Sequence, residues 1–336
     1  MHVGKRYGAF ATLRWSWNLA LAPLLWSLLV VGLYELGGID VIALPLTPVS
    51  LVGTAVAFYI GFQNNAAYDR TWEARKIYGA IVNASRSFAY GARDLVSTVH
   101  GGEVAPEELD AIHRRIVHRH VAWMDALRHQ LRKLKSWEHD GSYAERVRTM
   151  IVPERSEELK AVVGANLEGA EADEVLAQIN PAAHLIAAQS RDLAVLRARG
   201  LLDGFSHVHL QGLLDELMTQ QGKAERIKNF PFPRQFATVN TYFAWIFCAM
   251  VPAALIEPFE SLEAHAAWAV VPFSTAICWV FLTADKIGDW SENPFEGLTN
   301  DVPITSMSRG IERDVRQMVG ETELPPARQP TESIVL

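Results

Sequence analysis

The sequence contains little cysteine and no excess of basic charge. Its 336 residues include 2 cysteines, Cys248 and Cys278, and both lie in apolar runs, where a free cysteine behaves as a small hydrophobic residue. This excludes a disulfide framework. Asp and Glu total 38 against 31 for Lys and Arg, so the composition does not indicate the basic surface of a nucleic-acid-binding protein. We expect no nucleic-acid partner.

Signatures of catalysis, of cofactor binding and of secretion are also missing. The sequence has no Ser-His-Asp arrangement, no Gly-rich phosphate loop and no pair of catalytic carboxylates. His113, His118 and His120 lack the i, i+3 or i, i+4 spacing of helical metal sites, so a solvated helix face is favoured. Lys5 and Arg6 precede an apolar run that is long and lacks a cleavage site, so we expect no signal peptide. The chain is predicted to be no enzyme and to hold no cofactor and no metal ion.

The apolar residues are concentrated in two blocks, roughly 15–62 and 236–284, with a polar, Arg-rich region between them. A helix needs about 20 mostly apolar residues to cross a bilayer. Four segments are candidate spans: Trp17–Leu36, Val49–Phe62, Thr241–Ile256 and Ala264–Ala284. The second is too short and too rich in Gly and Ala to stand alone in lipid, so a buried core helix is the alternative for it.

The distribution of Lys and Arg predicts the orientation in the membrane. The connections 37–48 and 253–266 contain neither residue, whereas the N-terminal stub and 63–235 hold nearly all of them. Because positive residues stay cytoplasmic, we predict a multi-pass protein of the inner membrane with both termini inside. The predicted divisions are the stub with two spans, a cytosolic helical region, two further spans, a cytosolic C-terminal segment and a disordered tail: 1–62, 63–235, 236–288, 289–321 and 322–336.

Two stripes with four-residue spacing run along the second candidate span. The first consists of small residues that permit close helix packing: Gly53, Ala57 and Gly61. The second lies beside it on the helix: Thr54, Phe58 and Phe62. A ring of such helices, packed on the small stripes, would turn the second stripe towards a common axis as a hydrophobic constriction. From periodicity alone, ordinary core packing is the alternative for both Phe side chains.

Three blocks follow one another in an order that is typical of one family. They are GFQNNAAYDRTWEARKIYGAIVNASRSFA at 61–89, HLQGLLDEL at 209–217, and ENPFEG with GIERDV between 292 and 315. With four candidate spans around them, these blocks resemble the prokaryotic bestrophins. The resemblance implies an all-α membrane protein with four transmembrane helices per protomer and a large cytosolic helical region. It also implies a homopentamer in the lipid bilayer, with five copies of the second span around one pore.

The resemblance implies two constrictions. The family forms the pore neck from apolar residues at the positions of Thr54, Phe58 and Phe62, where Thr54 departs from the usual aliphatic residue and makes the outer neck wetter. A cytosolic aperture is formed by an aliphatic residue three before the Gln of the Leu-Gln block, which is Val208 here. The flanking His207 and His209 are either pH-sensitive groups at the aperture or hydrogen-bonded loop histidines.

Animal members of the family bind calcium through acidic residues that follow Asn-Pro-Phe. In this chain Asn293-Pro294-Phe295 is followed by Glu296, Gly297 and Leu298, and then by Asp301. Calcium requires six to eight oxygen ligands, several of them carboxylates. We therefore expect no tight calcium site.

The predicted function is a channel for small inorganic ions. Phe rings offer their positive edges to an anion or their faces to a cation. Phe at both lower neck positions resembles the animal pattern and favours anions, chloride first. A monovalent cation channel of the same fold is one alternative. A non-conducting membrane scaffold or receptor, whose large cytosolic region binds a partner, is the other.

Overall fold

A computed structural model describes residues 1–167, 170–261, 266–331 and 333–336. The helices, in chain order, are α1 (Ala9–Ser16), α2 (Asn18–Glu35), α3 (Leu46–Leu95), α4 (Pro106–Arg132), α5 (Ser142–Ile151), α6 (Leu159–Gly164), α7 (Glu171–Leu176), α8 (Pro181–Ala198), α9 (Gly204–Asn229), α10 (Arg234–Glu260), α11 (Val270–Asp289) and α12 (Ile304–Met318). Short 3₁₀ turns join some of them, and the described residues form no β-strand beyond isolated bridges. The predicted all-α class is confirmed.

In the part of the chain that the structure describes, four helical segments are long and apolar enough to cross a membrane. They are Asn18–Glu35, the apolar part of Asp40–Leu95, Arg234–Glu260 and Ala266–Asp289. Each predicted span overlaps one of these segments, and the first, Trp17–Leu36, exceeds its segment by one residue at each end. The predicted start of the fourth, Ala264, and the loop residue Glu263 lie outside the described residues. The second span is not a short separate helix, because it is the first part of the 50-residue helix α3.

The length of α3 follows from its sequence. Pro48 lies in the first turn, where proline is tolerated, and no further proline occurs before Leu95. Buried residues in its apolar part recur with helical spacing: Val49, Gly53, Val56, Ile60, Gln63 and Ala67. One face of the helix is therefore covered, and the rest of its circumference is open in the protomer.

The chain forms two compact units. The first, here called the membrane unit, comprises 4–70 and 231–292. Its core is made where α3, α10 and α11 pack together, and its members include Val56, Ile60, Phe247, Cys278 and Leu282. α2 packs on α10 and α11, and the Ser27 and Ser274 hydroxyl oxygens of α2 and α11 lie 2.7 Å apart in a buried hydrogen bond.

The second unit, here called the large unit, comprises 1–3, 71–230 and 293–336. Its core joins the second half of α3 to α4, α8, α9 and α12, with Phe88, Trp123 and Leu193 fully buried. The two units are divided by their compactness alone, so their boundaries do not define which residues lie in the membrane.

The segment predicted as a disordered tail has no helix in its described residues, 322–331 and 333–336. Its Pro-rich composition explains the lack of regular structure. It nevertheless contacts other residues of the large unit: Arg328 forms an ion pair with Glu157 at 2.5 Å, and the Ser306 backbone N–H donates to the Leu336 carbonyl at 2.6 Å. Leu336 is buried.

Candidate functional site

The stripe predicted to line a pore is exposed on α3. Phe58 is 64% exposed and Phe62 is 70% exposed, whereas Val56 and Ile60 on the opposite side are buried in the membrane unit. Thr54 is also exposed. Because residues four apart share a helix face, these three side chains form one open surface. In the protomer the two Phe rings are therefore not core residues.

The stripe of small residues divides into two parts. Gly53 is buried, and a Cβ placed on it would lie 2.6 Å from Cε2 of Phe247 on α10. This glycine is needed for packing inside the protomer. Ala57 is exposed. Apart from the chain neighbours and the backbone of α3 itself, no described atom lies within 4 Å of the Cβ position of Gly61. Of the three small residues, Ala57 and Gly61 are thus open in the protomer and Gly53 is not.

Val208 lies near the start of α9. The carboxylate of Asp203 caps this helix, accepting hydrogen bonds from the backbone N–H groups of Phe205 at 2.7 Å and Ser206 at 3.2 Å. Hydrogen bonds from Ser206 hold the pKa of Asp203 below its ordinary value, so the charged form that suits a helix N-terminus is favoured. Val208 is 69% exposed and Phe205 is 93% exposed. The cap thus fixes a turn that presents apolar side chains to the outside of the protomer.

The histidines beside Val208 belong to the same helix. His207 and His209 therefore point about 100° to either side of Val208, rather than alternating as they would in an extended loop. Within the described part of the chain, Nδ1 of His207 is buried without a hydrogen-bond partner. His207 and His209 are therefore helix residues, and their assignment to a loop is wrong. The pH sensitivity of the aperture stays a prediction.

The two carboxylates that follow Asn-Pro-Phe are both buried and already paired. Asp301 accepts hydrogen bonds from Nη1 of Arg132 at 2.8 Å and from the backbone N–H of Gly297 at 2.6 Å. Glu296 accepts from Nδ1 of His139 at 2.8 Å and lies 3.6 Å from Nη2 of Arg148. Burial raises the pKa of Asp301 to about 6, against the opposing effect of Arg132. Hydrogen-bond donors and arginine side chains of the protein therefore occupy the positions beside these oxygens.

Four membrane-spanning helices, a helical large unit and an open apolar face on the second span define a class, the polytopic all-helical membrane proteins. Residues 15–317 match the family model Bestrophin_2, described as bacterial/fungal bestrophin protein. The chain belongs to this family, and the resemblance inferred from the sequence blocks is confirmed.

Relatives of known name and structure cover most of the chain. The voltage-dependent anion channel-forming protein YneE of Escherichia coli K12 is 28% identical over 83% of this chain and 79% of its own length. A protein of the same description from Mesorhizobium japonicum, mll4386, is 26% identical over 91% of this chain and 85% of its own. The crystal structure of a bacterial bestrophin homolog from Klebsiella pneumoniae matches with a TM-score of 0.75 and 26% identity, covering 91% of this chain and 99% of that one.

Proposed function

We propose that the protein is a homopentameric channel of the bacterial inner membrane that conducts small monovalent anions, with chloride as the main candidate. The observation that carries the proposal is the exposure of Phe58 and Phe62 on a helix whose other face is buried. The description of YneE and mll4386 as voltage-dependent anion channel-forming proteins supports the choice of ion.

The neck of the pore is formed by Thr54, Phe58 and Phe62. Five copies of α3 around one axis bring these side chains into three successive rings, of which two are aromatic. Such a constriction is closed to ions when it is dry and conducts when it is wet. Ring edges carry the positive part of the aromatic quadrupole, so Phe rings seen edge-on favour an anion.

The second constriction, the aperture, is formed by Val208. Its exposure in the protomer and its place in a capped helical turn support this role. A ring of short aliphatic side chains selects among ions by their size and by the cost of removing their water. The neck and the aperture thus have different tasks, gating for the first and ion sorting for the second.

The channel works without a calcium switch at the loop after Asn293. Pairing of Asp301 with Arg132, and of Glu296 with His139, supports this statement because a calcium ion would have to displace both partners. Both termini and the large unit are cytoplasmic in this proposal. The lack of Lys and Arg in 37–48 supports that orientation.

A flux assay in liposomes tests the proposal. Purified protein, whose oligomer mass is measured by native mass spectrometry, is reconstituted and the vesicles are loaded with dyes that report chloride or potassium. We expect a pentamer and chloride flux that exceeds potassium flux. A pentamer that passes neither ion would instead indicate the scaffold, and dominant potassium flux would indicate the cation channel.

A further inference from the structure

Immediately after Phe62, the face of α3 that packs in the membrane unit becomes polar. Gln63 is buried and its Oε1 accepts a hydrogen bond from Nδ2 of Asn240 on α10. The same amide nitrogen donates to Oδ1 of Asp285 on α11 at 2.8 Å. Thr241 donates its hydroxyl to the other carboxylate oxygen at 3.1 Å. One carboxylate and one amide therefore connect three membrane helices.

A second contact joins the same turn of α3 to α11. Asn64 donates its amide to the carbonyl of Ala284 at 3.2 Å. One turn further along α11, a Cβ on Gly288 would overlap Oδ1 of Asn64 and would lie 3.4 Å from Cγ of Gln63. Glycine at this position therefore allows α3 to approach the backbone of α11. The hydrogen bond from the Asn64 side chain to the Ala284 carbonyl holds the two helices together.

Asp285 is held by neutral donors. No Lys, Arg or His pairs with it in the described ranges, and its neighbour Lys286 instead donates to the Trp15 carbonyl at 3.0 Å and lies 4.3 Å from the centre of the Trp15 ring. Ionisable residues in membrane helices are rare and tend to be functional. Buried hydrogen bonds between polar side chains also favour a single arrangement of their helices. In the described residues, Oδ1 of Asn240 is the one atom of Gln63, Asn240 and Asp285 that is buried without a partner.

We propose that Gln63, Asn240 and Asp285 form a polar clamp that positions the Phe62 ring of the neck. Phe62 precedes Gln63 directly, so the rotation of α3 that the clamp sets is also the rotation that presents the Phe62 ring. Two and a half turns earlier, α3 is held against α10 by the apolar contact of Gly53 with Phe247. The proposal rests on the proposed function, because it takes Phe62 to line the pore.

The test compares Asp285→Leu with Asp285→Asn in the full-length pentamer. Leu removes both acceptor oxygens of Asp285 and so releases α3 at the lower end of the neck. We expect the open probability of the channel to rise about fivefold, which corresponds to the loss of about one net hydrogen bond. Asn keeps an oxygen for Asn240 and offers an amide to the hydroxyl of Thr241, so single-channel openings stay close to those of the unmodified protein. Ser274→Ala, which removes the buried bond to Ser27 without touching α3, is the matched control and leaves openings unchanged.

A double-mutant cycle with Phe62→Ala separates positioning from general loosening. If the clamp acts through the ring, Asp285→Leu has no further effect once the ring is absent. If the changes in open probability from Asp285→Leu and Phe62→Ala simply multiply in the double mutant, the clamp is overturned. Equal changes from Asp285→Leu and Asp285→Asn would also overturn it, because they would indicate a role of the charge. Absence of any effect from Phe62→Ala alone would instead overturn the neck and the proposed function. Should Asp285→Leu fail to assemble, Thr241→Val and Gly288→Ala carry the same expectations.

Discussion

Phe58 and Phe62 are large apolar side chains at positions where the protomer leaves them uncovered. A Phe side chain buries 150–250 Å² when it is packed, so two uncovered rings on one face require lipid, another subunit or a pore. Their neighbours on that face include Thr54, whose hydroxyl donates to the Ser50 carbonyl at 2.9 Å and is thus satisfied within the helix. This satisfied hydroxyl is compatible with each of the three surroundings, and mutation distinguishes them.

The first prediction concerns the neck. Replacing Phe58 and Phe62 with Ala widens a hydrophobic constriction and lets water enter it, so single-channel conductance or open probability rises severalfold. Phe273→Ala on α11, which removes a side chain that is also more than half exposed, is the control and leaves currents unchanged. Planar-bilayer recordings measure both. Equal currents from all variants would remove the rings from the pore.

The second prediction concerns the aperture. Val208→Ala enlarges a short aliphatic ring, so the permeability ratios among anions of different radius change while open probability stays the same. Val195→Ala on α8, where the side chain is 54% exposed, provides a matched control in the same unit. Reversal potentials with nitrate, bromide and chloride measure the ratios. Identical ratios in both variants and the unmodified protein would leave the neck as the sole constriction.

The third prediction concerns His120 in α4. Its ring lies between Phe88 and Trp123, with centroids 5.7 and 5.1 Å away, and burial lowers its pKa to about 3. The unfolded chain titrates this group near pH 6.5. Its neutral form therefore contributes stability that is complete above pH 6.5 and is lost as the pH falls towards 3.

His120→Phe removes this titration and keeps an aromatic ring in the same place. Between pH 6.5 and pH 5, the unmodified protein loses about 1 kcal/mol of stability per pH unit more than the variant does. Thermal unfolding of the detergent-solubilised protein at both pH values checks this. Parallel losses of melting temperature in the two proteins would show that His120 does not titrate on unfolding.

At the scale of single elements, α3 shows what local sequence can and cannot establish. The sequence has no proline between Pro48 and Leu95, which is compatible with the unbroken helix observed. The four-residue spacing groups Thr54, Phe58 and Phe62 on one face of that helix, where all three are exposed. The role of Gly53 could not be found this way. Its contact, Phe247, lies on another helix far along the chain, and spacing within α3 carries no information about that partner.

The fourth prediction separates the glycines of α3. Gly53→Leu forces a side chain into the Phe247 ring, so the protomer itself loses stability and its yield falls. A Cβ added at Gly61 has open space around it in the described protomer, so we expect the fold of Gly61→Leu to persist while close approach of a neighbouring subunit is blocked. Thermal unfolding reports the first effect and native mass spectrometry the second. A stable, conducting Gly61→Leu pentamer would exclude this glycine from the subunit contact.

The loop after Asn293 shows a similar limit. The sequence indicates that its acidic residues are too few for calcium, and the pairing of Asp301 with Arg132 explains what they do instead. Arg132 ends α4 and comes from a different part of the chain. The motif could be read locally, but its cationic partner could not, because nothing in the pattern around either residue indicates the contact.

At the scale of the whole molecule, the four spans followed from the length of the apolar segments, and the fold class followed from the resemblance of the ordered sequence blocks to one family. The buried ionic contacts of the large unit did not. Arg128 bonds Asp125, Glu154 and Glu157 at 2.7–2.9 Å, and Lys228 pairs with Glu138 in the interior. A charged run on a helix usually means a solvated face. Tertiary packing overrides that expectation here by supplying a partner for each buried charge.

The polar clamp was missed for the same reason. Asn240 and Asp285 stand in two apolar segments, where a single polar residue carries no motif of its own. An ionisable residue directly after the candidate span Ala264–Ala284 was the available signal. Its connection to Gln63 beside the neck required the packing of three helices, which sequence spacing does not supply.

Whether this chain assembles into an anion-selective pore is measured by the reversal potential of the reconstituted protein under a KCl gradient. For an anion channel, we expect the reversal potential to lie close to the chloride equilibrium potential. The Phe62→Ala variant is expected to carry a larger current with a reversal potential of the same sign. A reversal potential close to the potassium equilibrium value would contradict the account and indicate a cation channel. A stable pentamer that carries no current under any gradient would contradict the pore itself.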